Sequence, residues 1–451
     1  MKVARKLAVL LLVLAITLLG ACSNDKSSTN KADNNDTNKN AENENEGTSN
    51  EETEPVALKF LFPWGDELFN DRIVPIDEKL SDVTIELINN DTGSTEGIRE
   101  KIEDLSANNI IPDIMILGSN ELMDDYVQEF LEPLDEYATK HNFDLDKLNP
   151  ALLDTIRSMD KEGRLVSFPN SNDATVLYYN KDIFDKFGIE YPNGKMTWDE
   201  TIELAKSLTG ERDGITYRGL DIRDAGNFPL DQRGINLTDP DTGEVTIANE
   251  PAVQQYLNLV ENIYKIPGNL PPEDSGGALG DFLNGTVAMT LYSPQFMRWG
   301  VGTPEKAESI DFLPAPVWSD QSDVTEPAKS YYHWVINKYS ENKDAAFKVL
   351  AEYTSQDIQE LITNAGQEMT ILADDSIKGQ FGSELDVYEG KNIQAIFEIP
   401  SGTPPEKISK YNQYVKFEIN EFINSNKDVN QHIREVAEKA EIEIKNASGN
   451  N

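Results

Sequence analysis

The sequence predicts an α/β protein whose strands and helices build two lobes around a cleft. Strand and amphipathic-helix signals alternate along the chain, in βαβ order near its start. Roughly 400 residues come after an apolar leader and a polar linker, more than one core holds and enough for two lobes. Strand after strand runs into polar and aromatic residues, the composition of a crevice at sheet ends rather than of a packed interior.

Val56–Phe62 (VALKFLF) reads as a first strand that delivers Trp64, Asp66 and Glu67 at its carboxyl end. A second strand is expected over 82–87. Ile98, Ile102 and Leu105 stand at helical spacing, and the apolar run 110–117 reads as a buried strand ending at Gly118-Ser119-Asn120. Short helices are expected over 122–131 and 150–159.

The stretch 164–209 organises the rest of the chain. Leu165–Phe168 and Thr175–Tyr179 read as strands, and the polar gap Asn170-Ser171-Asn172-Asp173 between them reads as a chain crossing that faces the cleft. Asn180 starts a helix that stops at Gly188, and Thr197-Trp198-Asp199-Glu200 supplies a capping box for a second helix reaching Leu208. Another strand, 219–222, ends in Arg223 through Asn227. Helix 251–266 is started by Asn249. A helix over 278–284 and a strand over 286–292 lead to Tyr292-Ser293-Pro294-Gln295. Residues 312–318 are expected to cross over, 331–336 to form a strand containing Trp334, and 344–353 and 356–364 to form helices closed by Gly366. Two amphipathic helices, 406–423 and 428–444, close the chain, the first carrying Tyr411. No internal repeat is visible.

Composition bounds the address and the partners. Lys2, Arg5 and Lys6, the apolar run 7–19 and Leu19-Gly20-Ala21-Cys22 read as a lipoprotein signal peptide cleaved before Cys22. Cys22 is the only cysteine, which excludes internal disulfides and cysteine metal clusters. Residues 23–54 carry no large apolar side chain and read as a disordered tether, roughly 100 Å at full stretch and nearer 30 Å as a coil. The formal net charge of −40 excludes nucleic acid and basic membrane-surface helices; the acidity reads as a solvated surface.

Asp239, Asp241 and Glu250 fall at the first, third and twelfth places of a calcium loop. Gly243 and Glu244 occupy the fifth and sixth, where an oxygen ligand and a glycine are required, so an Asp-rich turn opening a hairpin is expected instead. No metal or cofactor is expected. Hydrolase, P-loop and dinucleotide motifs are absent, and His141, His333 and His432 are too dispersed to form one.

Phe168-Pro169 through Asp173 to Tyr179-Asn180-Lys181-Asp182, with Thr197-Trp198-Asp199-Glu200 after it, resembles the hinge and second-lobe opening of the bacterial extracellular solute-binding proteins, the sugar-binding lipoproteins of ABC importers. The resemblance runs from Leu58 to the last helix. It implies a type II two-lobe periplasmic-binding-protein-like fold, with residues 55–170 and 325–365 in the N-terminal lobe and 171–324 and 366–446 in the C-terminal lobe. It further implies a diacylglyceryl thioether on Cys22 with palmitate, an extracytoplasmic lipid-anchored monomer, a carbohydrate ligand, ABC permease subunits as partners, and no catalysis.

The same resemblance gives Asp66, Glu67, Ser119, Asn120 and Asp173 sugar-hydroxyl roles, sets Gln295 where an aromatic platform stands in maltodextrin binders, and makes Tyr411 a late stacking ring. Trp64, Arg223, Asn227, Tyr292 and Trp334 complete the expected ligand set, because carboxylates, amides and guanidinium groups pair with hydroxyls while flat rings cover apolar sugar faces. A surface glycoside hydrolase or lyase, and a module that reports its ligand to a sensor, are the competing readings.

Overall fold

The computed structural model describes residues 54–90 and 97–449. The expected leader, Cys22 and nearly all of the tether lie outside them. Among the described residues, ten strands form two five-stranded sheets. The first holds β1 (Val56–Phe62), β2 (Val83–Asn89), β3 (Ile114–Gly118), β4 (Phe168–Pro169) and β10 (Tyr332–Ile336), in the order β2-β1-β3-β10-β4. The second holds β5 (Val176–Asn180), β6 (Gly210–Arg212), β7 (Ile215–Asp221), β8 (Val287–Tyr292) and β9 (Ile310–Pro314), in the order β6-β7-β8-β5-β9. The expected α/β class and two-lobe architecture are both present.

The first sheet has one strand reversed against its parallel group, β10, and the second has two, β5 and β6. β1 runs parallel to β2 and β3, and β10 runs against β3, setting Tyr332 opposite Gly118. β7 runs parallel to β8, and β5 runs against β8, setting Val176 opposite Tyr292. The starts of β10 and β5 therefore lie at the carboxyl ends of their neighbours. Alternation along β1 sends Leu58, Phe60 and Phe62 into one core and Leu61 into another on the opposite sheet face.

The chain crosses between lobes near 170–176, 325–332 and 369–381, and the crossings are hydrogen-bonded to one another. Asp173 N–H donates to the Lys329 carbonyl at 2.8 Å and Asn172 N–H to the Met369 carbonyl at 3.2 Å. Ile371, Leu372 and Ile377 pack into the first lobe, whereas Met369 and Phe381 pack into the second.

The caps formed as their sequences dictate. Asn180 accepts from Ile183 N–H at 3.3 Å and Gly188 closes that helix at φ +67°. Thr197 and Glu200 exchange both capping-box hydrogen bonds. Helix Pro251–Tyr264 is capped by Glu250 rather than Asn249. The Asp239 carboxylate is occupied by the N–H groups of Asp241 and Thr242, closing the expected turn.

Several expected elements differ: 122–131 holds only the short helix Asp125–Gln128 after one over Ser119–Leu122, and the strand expected over 110–117 begins at Ile114, leaving Ile110 and Ile111 exposed. Residues 406–423 are not one helix but a strap with a 3-10 turn, Lys410–Tyr414, and a short helix, Ile419–Ile423. Its backbone and amides are used in tertiary bonds: Ile408 N–H to the Ser158 carbonyl (2.7 Å), Ser409 N–H to Asn236 (2.9 Å), and Asn412 accepting from Leu237 N–H (2.9 Å). Residues 310–314 pair as edge strand β9, so the chain crosses only beyond them. Of 165–168, only Phe168 pairs, joined by Pro169, against β10.

Gly219 in β7 meets helix Trp198–Ser207 so closely that an added Cβ would lie 2.0 Å from the Ala205 carbonyl oxygen. Gly219→Ala is expected to destabilise the protein by about 1–3 kcal/mol through overpacking against backbone, measured as a lower urea midpoint with an unchanged m-value.

Candidate functional site

Between the lobes, beside the crossings, lies a cavity of about 600 Å³. The first lobe lines it with Ser119, Asn120, Glu121 and Tyr332, the second with Asp231, Asn236, Asn412 and Gln413, and the crossing strand with Glu326, Lys329 and Tyr331. The first sheet lines it with the end of β3 and the start of β10, whereas the second lobe lines it with the loop carrying Asp231 and Asn236 and with the segment that carries Asn412 and Gln413.

Asp173 stands where two crossings touch. Its carboxylate accepts from the Tyr331 N–H at 2.7 Å and from the Ser171 hydroxyl at 2.6 Å. Burial, with the Glu368 charge adding to it, raises this carboxyl to about 6 in spite of those hydrogen bonds. Glu368 is itself raised by burial and is paired with Arg72 at 2.8 Å. Glu326 is raised by burial and ion-paired with Lys329. Burial opposes the Lys329 charge, but Glu326, Tyr331 and Asp231 hold it well above the ordinary lysine range.

Two rings, Tyr331 and Tyr332, line the gap. Trp64 meets Tyr332 edge-on at 4.8 Å, with the Arg72 guanidinium 5.3 Å from its ring. Tyr331 is 53% exposed, a large value for a ring on a crossing strand, with the Lys329 ammonium 5.1 Å from its centre. On the second lobe Tyr292 packs edge-on against Trp299 at 5.6 Å, and Trp299 is also exposed.

The residues expected from sequence divide into two groups. Trp64 sits at the end of β1, beside Tyr332. Ser119 and Asn120 line the cavity, although the Ser119 hydroxyl already donates to the Ser330 carbonyl at 2.9 Å. Asp66 and Glu67 are exposed in the first turn of helix Gly65–Arg72. Asn227, four residues before Asp231, accepts from Tyr256 at 3.3 Å, and Tyr292 ends β8. Gln295 lies three residues beyond it, its Oε1 buried without a hydrogen-bond donor among the described residues.

Of the twelve expected residues only Ser119 and Asn120 line the cavity itself, and three more are core, occupied or in another groove. Trp334 is 1% exposed, stacked on Tyr353 at 4.2 Å with its N–H donated to Asn170, so it is a core residue with no face for a ligand. Arg223 spends its guanidinium on Asp221 (2.7 Å) and Ser275 (2.7 Å) and braces the second lobe instead. Tyr411 packs near Gly243 and lines a separate groove, not the central cavity.

Lys329, Tyr331 and Tyr332 escape a reading guided by strand carboxyl ends, because they occupy the start of a strand that runs the other way. The tandem Tyr331-Tyr332 after a lysine is the signal that could have found them.

Residues 75–360 match the family model described as bacterial extracellular solute-binding protein. The chain belongs to the bacterial extracellular solute-binding proteins. Within this family it is 35% identical over 250 residues to a putative binding protein of Brucella abortus, covering 53% of this chain and 57% of the relative, so the match spans little more than half of that protein. The fold is shared with a sugar transporter protein of Rhizobium etli in an open conformation (TM-score 0.68, 20% identity, covering 86% of this chain and 99% of that one). It is shared as well with an ABC substrate-binding protein of Listeria monocytogenes in complex with cycloalternan (TM-score 0.65, 18% identity, covering 87% and 100%). In this solute-binding protein, as in the neighbours' fold, two lobes meet at a hinge, and no helix of the described residues is long and apolar enough to cross a membrane.

A carboxyl raised from 3.8 to about 6 binds its proton more tightly folded than unfolded, so its stabilising protonated form is lost as pH rises between those values. The melting temperature of the wild type is therefore expected to fall relative to that of Asp173→Asn across this window and to run parallel to it above the window. Parallel curves throughout would contradict the shift.

Proposed function

We propose that this chain is the lipid-anchored substrate receptor of an ABC importer and that it binds a sugar or oligosaccharide in the cavity between its lobes. The observation that carries the reading is that cavity: about 600 Å³, shared by both lobes at the crossings, lined by acids, amides and a lysine, and framed by rings. Hydroxyl-rich ligands need this combination. Each buried hydroxyl left without a partner costs on the order of 1–3 kcal/mol, and flat rings shed water from apolar sugar faces. The family's solute-binding character and its sugar-related structural neighbours support the choice of ligand class.

In this reading Asp66, Glu67, Asn120 and Asp173 accept hydroxyl protons, with Ser119, Asn227 and Gln295 as neighbouring polar partners. Trp64, Tyr292, Tyr331 and Tyr332 supply ring faces. Ligand held by one lobe gains contacts from the other, and only that gain favours closure. Cys22 carries the lipid, the tether gives the receptor reach on the extracytoplasmic face, and closed monomers dock to permease subunits. Ligand is bound without turnover, so prolonged incubation is expected to leave the reducing-end count of a bound saccharide unchanged.

A thermal-shift and calorimetric screen of mono- and oligosaccharides on the chain from Glu54 onward tests this directly, since a ligand at a hundredfold excess over Kd stabilises by about 2.7 kcal/mol. Against the saccharide that binds, Tyr331→Ala is expected to lose about tenfold in affinity, about 1.4 kcal/mol, with an unchanged melting temperature when free of ligand. No binding by any saccharide would overturn the reading.

A further inference from the structure

The lobes share a second space. A groove of about 710 Å³ lies outboard of the hinge-side cavity, between Arg99, Asp124 and Tyr126 of the first lobe and Lys410, Tyr411 and Tyr414 of the second. Met123 and Gln413 line both spaces, so the two adjoin at these residues. The outer groove is therefore the next space a ligand reaching past Gln413 would meet.

Its banks carry rings and hydrogen-bonding groups in alternation. Tyr126 is half-buried, with the Arg99 guanidinium 4.9 Å from its ring centre and Phe130 at 5.2 Å. Tyr414 faces it from the strap, close enough to Asp124 that this carboxylate, after burial, helps push its phenol up. Lys410 reaches across to pair with Asp125, and Arg99 approaches Asp124 at 3.5 Å. The lining acids Glu100, Asp124 and Asp125 outnumber the cations Arg99 and Lys410 and offer a polyanion no attraction, whereas lone pairs and N–H groups suit neutral hydroxyls. The volume lies within the range of small-molecule sites. A ligand confined to the hinge-side cavity has no use for these rings; a longer one, leaving past Gln413, meets them next.

Resting on the receptor reading, we propose that the outer groove is a second saccharide compartment, that the ligand is an extended neutral oligosaccharide occupying both spaces, and that Tyr126 and Tyr414 are its length-determining residues. Because the banks belong to different lobes, the compartment is completed only as the lobes approach. Long ligands then gain from closure what short ones cannot.

The test is calorimetric titration of the chain from Glu54 with linear α-1,4-glucan, β-1,4-glucan and β-1,4-mannan series from monosaccharide to hexasaccharide, on wild type, Tyr126→Ala, Tyr126→Phe and Tyr414→Ala. In the series that binds, wild-type affinity is expected to climb with length. Each alanine variant should lose up to about tenfold for the longest ligand and stay within about twofold of wild type for the shortest, with Tyr126→Phe binding like wild type. Two separate alanine variants guard against a misfolded one. Binding that saturates at the shortest ligand, or losses equal at every length, would overturn the second compartment while leaving the receptor intact. No binding at any length would overturn both.

Discussion

The structure depends on the hydrogen-bonded contact between its chain crossings. Asp173 joins them twice, through its own N–H to the Lys329 carbonyl and through its carboxylate to the Tyr331 N–H, while Asn172 is tied to Met369. Backbone bonds of this kind resist sliding but allow bending by small dihedral changes at several residues, which is the freedom a hinge between two rigid sheets needs. The same constraint fixes the site. Lys329 and Tyr331 line the gap while their own backbones are held by Asp173, and the raised Asp173 carboxyl results from holding an acid at that junction beside Glu368.

Charge is distributed unevenly around this hinge. Most acids of the chain are solvated, but several sit in the cleft with only some matched by a cation: Glu368 by Arg72, Glu326 by Lys329. Deeper in the second lobe, Arg218, Asp221, Arg223 and Asp281 form a buried network with the Tyr264 and Ser275 hydroxyls. Burial would raise Asp221, yet the bonds and charges of Arg223 and Arg218 hold it below the ordinary carboxylate range. Removing one member would leave an uncompensated buried charge, a large penalty, whereas the intact network adds little net stability. Its effect is positional: it clamps the end of β7, and with it the loop that carries Asn227 and Asp231 to the cleft.

Much of this was legible in the sequence, and the limits have physical causes. Local signals such as the Asn180 cap, the Thr197–Glu200 capping box and the Gly188 stop are satisfied within a few residues, so they can be read without the fold. The features that were not legible depend on partners far away in sequence. Trp334 looked like a strand-borne ligand group, and only its stack on Tyr353 and bond to Asn170 show it as core. Residues 406–423 have helical spacing, but Asn236, Thr238 and Ser158 capture the groups a helix would use. Strand direction is not encoded in a strand's own residues, which hid Tyr331 and Tyr332. The Asp213-Gly214 hairpin turn, both residues at positive φ, carries a local signal of the readable kind.

The central claim is that the two lobes move about these crossings to enclose a ligand, and a distance across the cleft tests it most directly. Glu103 is close to Tyr126 on one bank and Glu443 to Tyr414 on the other, both exposed. With Cys22 removed along with the leader and tether, cysteines placed at these two positions can be spin-labelled alone. Pulsed electron resonance is expected to give a shorter mean distance and a narrower distribution when a stabilising saccharide is added. An unchanged distance at saturating ligand would contradict hinge closure as the way this protein holds its ligand.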